Sequence, residues 1–93
     1  MKTIHKHTLK VNDEVQILNM RELDEVVHVA CQYGAAYPDR VMLWVLTDTD
    51  MPPKQRGFRV FGTGHAIPPK NHHYVGSGIT PGGDLVWHVM ELR

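Results

Sequence analysis

Short apolar runs separated by clusters of turn-forming residues set the pattern of this chain. Residues 3–9 and 15–18 read as strands, and Val11-Asn12-Asp13-Glu14 between them suits a tight reversal. Residues 41–47 form the most apolar run and are expected to be the central strand. There Val41, Leu43 and Val45 point one way, and Met42, Trp44 and Leu46 the other. Both sets are apolar, so both faces should be covered. Residues 48–55 read as a polar loop that Pro52-Pro53 hold extended. Residues 56–61 are the next strand, with Phe58 and Val60 on one face and Arg59 and Phe61 on the other. Residues 62–73 are rich in glycine, proline and histidine and carry no strand pattern. A weak strand, 74–79, contains Gly76 and Gly78, and Thr80-Pro81-Gly82-Gly83 fits a type II turn into a last strand at 85–92.

One segment supports two readings. Asn19-Met20-Arg21-Glu22 resembles a helix capping box, and Met20, Leu23, Val26, Val27, Ala30 and Cys31 follow helical spacing. Against this, residues 25–31 are rich in β-branched side chains, and Val27, Val29, Cys31 and Tyr33 alternate. A strand at 26–33 after a short turn at 21–25 is the preferred reading, with a short helix near 20–26 as the alternative. The expectation is an all-β single domain, 1–93. It should be a small antiparallel β-sandwich or partly open barrel of six to seven short strands.

Ten Lys and Arg balance ten Asp and Glu, which argues against a nucleic-acid binder with a basic stripe. No run approaches the length of a membrane span, and residues 1–10 lack the apolar segment of a signal peptide, so a cytoplasmic location is expected. Cys31 is the single cysteine and has apolar neighbours, which suits a buried, inert thiol. A domain of this size has a thin core, so pockets are most readily built between copies, and a homo-oligomer is expected.

The strongest local feature is Phe61-Gly62-Thr63-Gly64-His65. Two glycines flanking a threonine can expose backbone N–H groups to an anion, and Arg56 and Arg59 just upstream offer guanidinium forks. The pattern lacks the Lys-Ser/Thr ending of a P-loop and the following helix of a dinucleotide fold. Trp44 and the loop residue Tyr37 offer rings for stacking, and His65 or His88 a hydrogen bond. His5 and His7 share a strand face, whereas His72 and His73 should point to opposite faces and cannot easily share a metal. Asp48 and Asp50 flank Thr49 in what reads as a solvated loop. No Ser-His-Asp or Cys-His set stands at a usable spacing, so no catalytic residue, metal site or cofactor is assigned.

The stretches Thr3-Ile4-His5-Lys6, Leu43-Trp44-Val45-Leu46-Thr47-Asp48, Phe58-Arg59-Val60-Phe61-Gly62-Thr63-Gly64-His65, Tyr74-Val75-Gly76 and Gly82-Gly83-Asp84-Leu85-Val86-Trp87-His88-Val89 span nearly the whole chain. In them the sequence resembles a family of small uncharacterised proteins of bacteriophages and some bacteria. It departs from that pattern at 21–25 and around 35–40. The resemblance implies a phage origin and a strand at 26–33, and brings no activity or catalytic residue. By class it invites analogy with phage sponges that sequester nucleotide immune signals of the cyclic ADP-ribose type. The resulting expectation is a non-enzymatic, homo-oligomeric binder of a phosphorylated nucleotide signal in the host cytoplasm. Its ligand residues would be Tyr37, Trp44, Arg56, Arg59, Gly62, Thr63, Gly64, His65 and His88. The alternatives are a protein-binding inhibitor of a host defence complex and a small metal-dependent hydrolase using His65, His72 and Asp48.

Overall fold

The computed structural model describes residues 1–32 and 40–93. Period-two alternation decides its architecture: β1 (Lys2–Lys10), β2 (Gln16–Arg21), β3 (Glu25–Ala30), β4 (Arg40–Asp48), β5 (Pro53–Gly62), β6 (His72–Ile79) and β7 (Val86–Leu92). Every pairing is antiparallel. The strands form a three-stranded sheet, β1-β4-β3, and a four-stranded sheet, β2-β5-β7-β6, which together make a small β-sandwich rather than a closed barrel. The described residues contain no helix, so the helical alternative near 20–26 does not occur. No helix is therefore long and apolar enough to cross a membrane.

The core lies between the sheets. Leu9 pairs with Val41, and with Leu43 and Val45 they face Met20, Phe58, Val60 and Val89 from the other sheet. The opposite face of β4 is only partly covered: Met42 is buried, while Leu46 is 37% exposed. The expectation that both faces of this strand would be covered therefore holds at one end alone.

Local chemistry explains where the strands stop. Asp24 closes the β2–β3 turn from both directions: its N–H donates to the Arg21 carbonyl (3.1 Å) and its carboxylate accepts from the Arg21 N–H (3.0 Å). The β3 strand ends at Ala30, short of the expected boundary, and Tyr33 lies outside the described residues. Pro53 opens β5, so 53–55 belong to a strand and not to the loop expected there. The first position of a strand is one that a residue without an N–H tolerates.

The two glycines that weaken the β6 pattern have a packing role. A Cβ on Gly76 would fall 2.6 Å from Val29 Cγ2, and one on Gly78 3.1 Å from the Cys31 nitrogen and 3.2 Å from the Ala30 carbonyl carbon. Glycine at these positions lets β6 lie directly against β3 and closes one side of the sandwich. Gly78→Ala is expected to destabilise the fold by about 1–3 kcal/mol through overpacking against backbone. Urea unfolding measures this, and a midpoint equal to the wild type's would show that the seam gives way freely.

Candidate functional site

The β6–β7 hairpin builds the most connected polar cluster. Gly83 N–H donates to the Thr80 carbonyl at 2.8 Å and Gly82 adopts φ +90°, the type II geometry expected of Thr80-Pro81-Gly82-Gly83. The Thr80 hydroxyl also accepts the Leu85 N–H at 3.0 Å. This turn fixes the hairpin register, which places Ser77 opposite His88 on the outward face. Ser77 Oγ lies 2.7 Å from His88 Nδ1.

A register shift between Tyr74 and Gly76 then matters. Residues three apart on a regular strand face opposite ways, whereas one extra residue returns them to the same side. Tyr74 Oη thereby comes within 2.8 Å of Ser77 Oγ. On the other side of the ring, His88 Nε2 is 2.9 Å from Thr63 Oγ1, beyond the end of β5. Four side chains thus form one chain of hydrogen bonds, Tyr74–Ser77–His88–Thr63, whose imidazole has a hydroxyl on each nitrogen. No carboxylate takes part, so nothing in the chain stabilises an imidazolium as a buried aspartate would.

Phe61, directly opposite His88, belongs to the same outward face. It is nonetheless buried, at 6% exposure. The Arg59 guanidinium sits 5.2 Å from its ring centroid and the His72 ring meets it edge-on at 5.7 Å. Arg59 Nε donates to the Asp13 carbonyl at 3.1 Å. That contact and the ring fix the guanidinium while leaving its terminal nitrogens without a protein partner among the described residues. Asp13, Arg59, Val60, Phe61, His65 and Ala66 line a shallow cavity of about 440 Å³.

The 62–65 turn borders this cavity. His65 N–H donates to the Gly62 carbonyl at 3.1 Å, and the Gly62 N–H donates back to His65 Nδ1, also at 3.1 Å. A Cβ at 62 would fall 2.8 Å from the His65 ring and displace it, and Gly64 takes the left-handed φ of +86° that favours glycine. Thr63, Gly64 and His65 are exposed, so the bend is not sealed inside the fold. Two of its amides are nevertheless engaged, and an anion must use those of Thr63 and Gly64. The Gly62 bond also assigns a tautomer: Nδ1 accepts, so the His65 hydrogen is on Nε2.

The structure does not bring together all the residues expected at this site. Arg56 shares strand parity with Phe58 and faces inward, where it grips Glu91 with Nε at 2.6 Å and Nη2 at 2.8 Å. Its Nη1 holds the carbonyls of Arg21 (3.0 Å) and Asp24 (2.8 Å). This guanidinium is a strut, not an anion receptor, because four of its five hydrogens and its charge are already committed to Glu91 and two carbonyls. Trp44 lies on the other sheet, beside His28 with ring centroids 5.3 Å apart, and within one subunit does not reach a ligand at the 62–65 turn. Tyr37 falls outside the described residues. Arg59, Gly62, Thr63, Gly64, His65 and His88 remain as a spatial group, joined by Ser77 and Tyr74, which the sequence reading had not selected.

Other candidates have plain structural partners. The Asp48 and Asp50 carboxylates both accept from the Met1 amino group. Cys31 is half-buried, and burial pushes its thiol up. His7 is held below its ordinary range by burial and by His5 beside it. Among the described residues, no three His, Cys, Asp or Glu side chains are grouped to hold a metal ion.

Fold and site together define a small two-sheet β-sandwich whose larger sheet carries a hydroxyl–imidazole chain and a fixed guanidinium on its outward face. The profile described as Domain of unknown function (DUF7352) matches residues 1–93, and the chain belongs to that family. No curated protein sequence and no solved structure matches the chain.

Proposed function

We propose that this protein is a non-enzymatic binder of a phosphorylated nucleotide, held on the outward face of the four-stranded sheet. The carrying observation is the Arg59 guanidinium, fixed over Phe61 and bordering the same cavity as His65. In this reading the Arg59 terminal nitrogens, His65 Nε2–H and the amides of Thr63 and Gly64 hold phosphate oxygens. The Thr63 hydroxyl, positioned by His88, adds one more donor. Tyr74, exposed at the far end of the face, meets the nucleoside. The cavity is shallow, and a second copy of the chain in a homo-oligomer would deepen it. The resemblance to phage proteins supports a role in capturing a nucleotide immune signal in the host cytoplasm, with ADP-ribose-type and cyclic nucleotides as the ligand class.

Calorimetric titration with inorganic pyrophosphate, ADP-ribose and cyclic nucleotides tests this. Charge-assisted hydrogen bonds are worth about 1.5–3 kcal/mol each, so Arg59→Ala should weaken binding about tenfold or more. Recovery of unaltered ligand after heat denaturation is the expected sign of capture without turnover. Failure of every phosphate-bearing probe to bind would overturn the proposal.

A further inference from the structure

The Tyr74–Ser77–His88–Thr63 chain has a direction. A neutral imidazole carries one N–H and one lone pair, and each hydroxyl carries a single hydrogen. A Thr63 hydrogen directed away from the ring therefore fixes the sense of every other bond in the chain. In one state His88 Nε2–H donates to Thr63 Oγ1, and the Thr63 hydrogen points away from the ring. His88 Nδ1 then accepts from Ser77, Ser77 accepts from Tyr74, and the Tyr74 oxygen offers only lone pairs to a ligand. When Thr63 instead donates to His88 Nε2, it presents lone pairs outward and Nδ1–H donates to Ser77, whose second lone pair leaves the Ser77–Tyr74 bond free to run either way. The 2.9, 2.7 and 2.8 Å separations leave no break in this sequence.

Building on the nucleotide reading above, we propose that this chain selects ligands with an acceptor at the Thr63 end and a donor at the Tyr74 end. Phosphate oxygens only accept, so phosphate at the 62–65 turn selects the state in which Thr63 donates outward. The same choice leaves Tyr74 able to accept and unable to donate outward. The ends of the chain are at most on the order of 10 Å apart by hydrogen-bond lengths, comparable to the reach from phosphate to base edge in a nucleoside monophosphate. At position 6 a 6-amino purine presents an N–H donor, whereas a 6-oxo purine presents a carbonyl that would face the Tyr74 lone pairs, its N1–H lying one position further along the edge. Among purine nucleotides the preferred ligand is therefore an adenine nucleotide. Ser77 is a positioning residue: it carries the polarity between the two ends without touching the ligand.

The test compares AMP, IMP and inorganic pyrophosphate by calorimetry at about pH 8. Wild-type protein should bind AMP about tenfold more tightly than IMP, as expected where a polar site meets a mismatched group. Ser77→Ala, which removes a residue that does not touch the ligand, should bring that ratio to within about twofold while leaving pyrophosphate affinity within about twofold of wild type, and Tyr74→Phe should likewise abolish the preference. Circular dichroism melting confirms that both variants fold. If pyrophosphate binds but wild type does not distinguish AMP from IMP, or if the preference survives Ser77→Ala, the polarity inference fails and the anion site stands. If none of the three probes binds, the nucleotide reading fails and this inference with it.

Discussion

Replacing Arg56 by alanine is expected to destabilise the fold by about 3–5 kcal/mol, the cost of leaving the buried Glu91 carboxylate with only the exposed Arg93, 3.4 Å away, beside it. Arg56 and Glu91 side chains are 11% and 5% exposed, and two guanidinium nitrogens meet the two carboxylate oxygens. The same guanidinium satisfies the Arg21 and Asp24 carbonyls, so its loss also frees two backbone acceptors and loosens the β2–β3 turn from β5. A double variant, Arg56→Met with Glu91→Leu, should recover much of the loss, because apolar replacement of both partners removes the unpaired charge. Chemical denaturation of both variants measures the difference. An Arg56→Ala loss below about 1 kcal/mol would mean that water reaches Glu91 freely.

The pair also sets a pH dependence. Burial pushes the Glu91 carboxyl up, and the hydrogen bonds and charge of Arg56, with a smaller share from Arg93, together outweigh that effect, leaving it below its ordinary 4.5. A carboxylate held lower in the folded chain than in the unfolded one stabilises the fold above the unfolded value, and the stability disappears as pH falls through the folded value. The Arg56–Glu91 contribution should therefore be full at neutral pH and fade below about pH 4.5. A wild-type acid unfolding curve matching that of the apolar double variant would contradict this.

Phe58→Ala is the second large expected effect, again about 3–5 kcal/mol. Phe58 is 0% exposed and lies in the cluster where Leu9, Leu43 and Val45 of one sheet meet Val60 and Val89 of the other. Rigid strands on both sides limit collapse, so truncation leaves a cavity as well as losing transfer free energy. Phe58→Leu should cost much less, because it keeps more of the volume. Thermal melting of the pair separates a packing role from a merely apolar one; equal losses would show that volume is irrelevant at this position.

Strand alternation made most of the sandwich legible. The two apolar sets on residues 41–47 marked the central strand of its sheet, and Pro81-Gly82 marked the hairpin. The same rule held a signal that went unused. Arg56 has the parity of Phe58 and Val60, and Glu91 that of Trp87 and Val89, so period two alone puts both charges inward. An inward guanidinium needs a carboxylate, and Glu91 was the in-facing one on the last strand. Ser77 opposite His88 also follows from counting back along the hairpin from its turn. Tyr74 does not, because the extra residue that returns its side chain to the face of Ser77 has no marker stronger than Gly76. Trp44 was placed with the glycine turn because nothing local says which sheet a strand joins; that choice is made by contacts remote in sequence.

The order of strands has a kinetic consequence. β1 pairs with β4 and β2 with β5, so each partnership must close a loop of roughly thirty residues, from Lys10↔Arg40 outward and from Arg21↔Pro53 outward. Among the described residues, the β6–β7 hairpin brings sequence neighbours together across a tight turn. Entropy lost in those long closures precedes any contact that offsets it, so the chain belongs with slow-folding β topologies that take milliseconds to seconds. During that interval the edges of two incomplete sheets stay open to other chains, which makes dilute refolding conditions the natural choice for handling this protein.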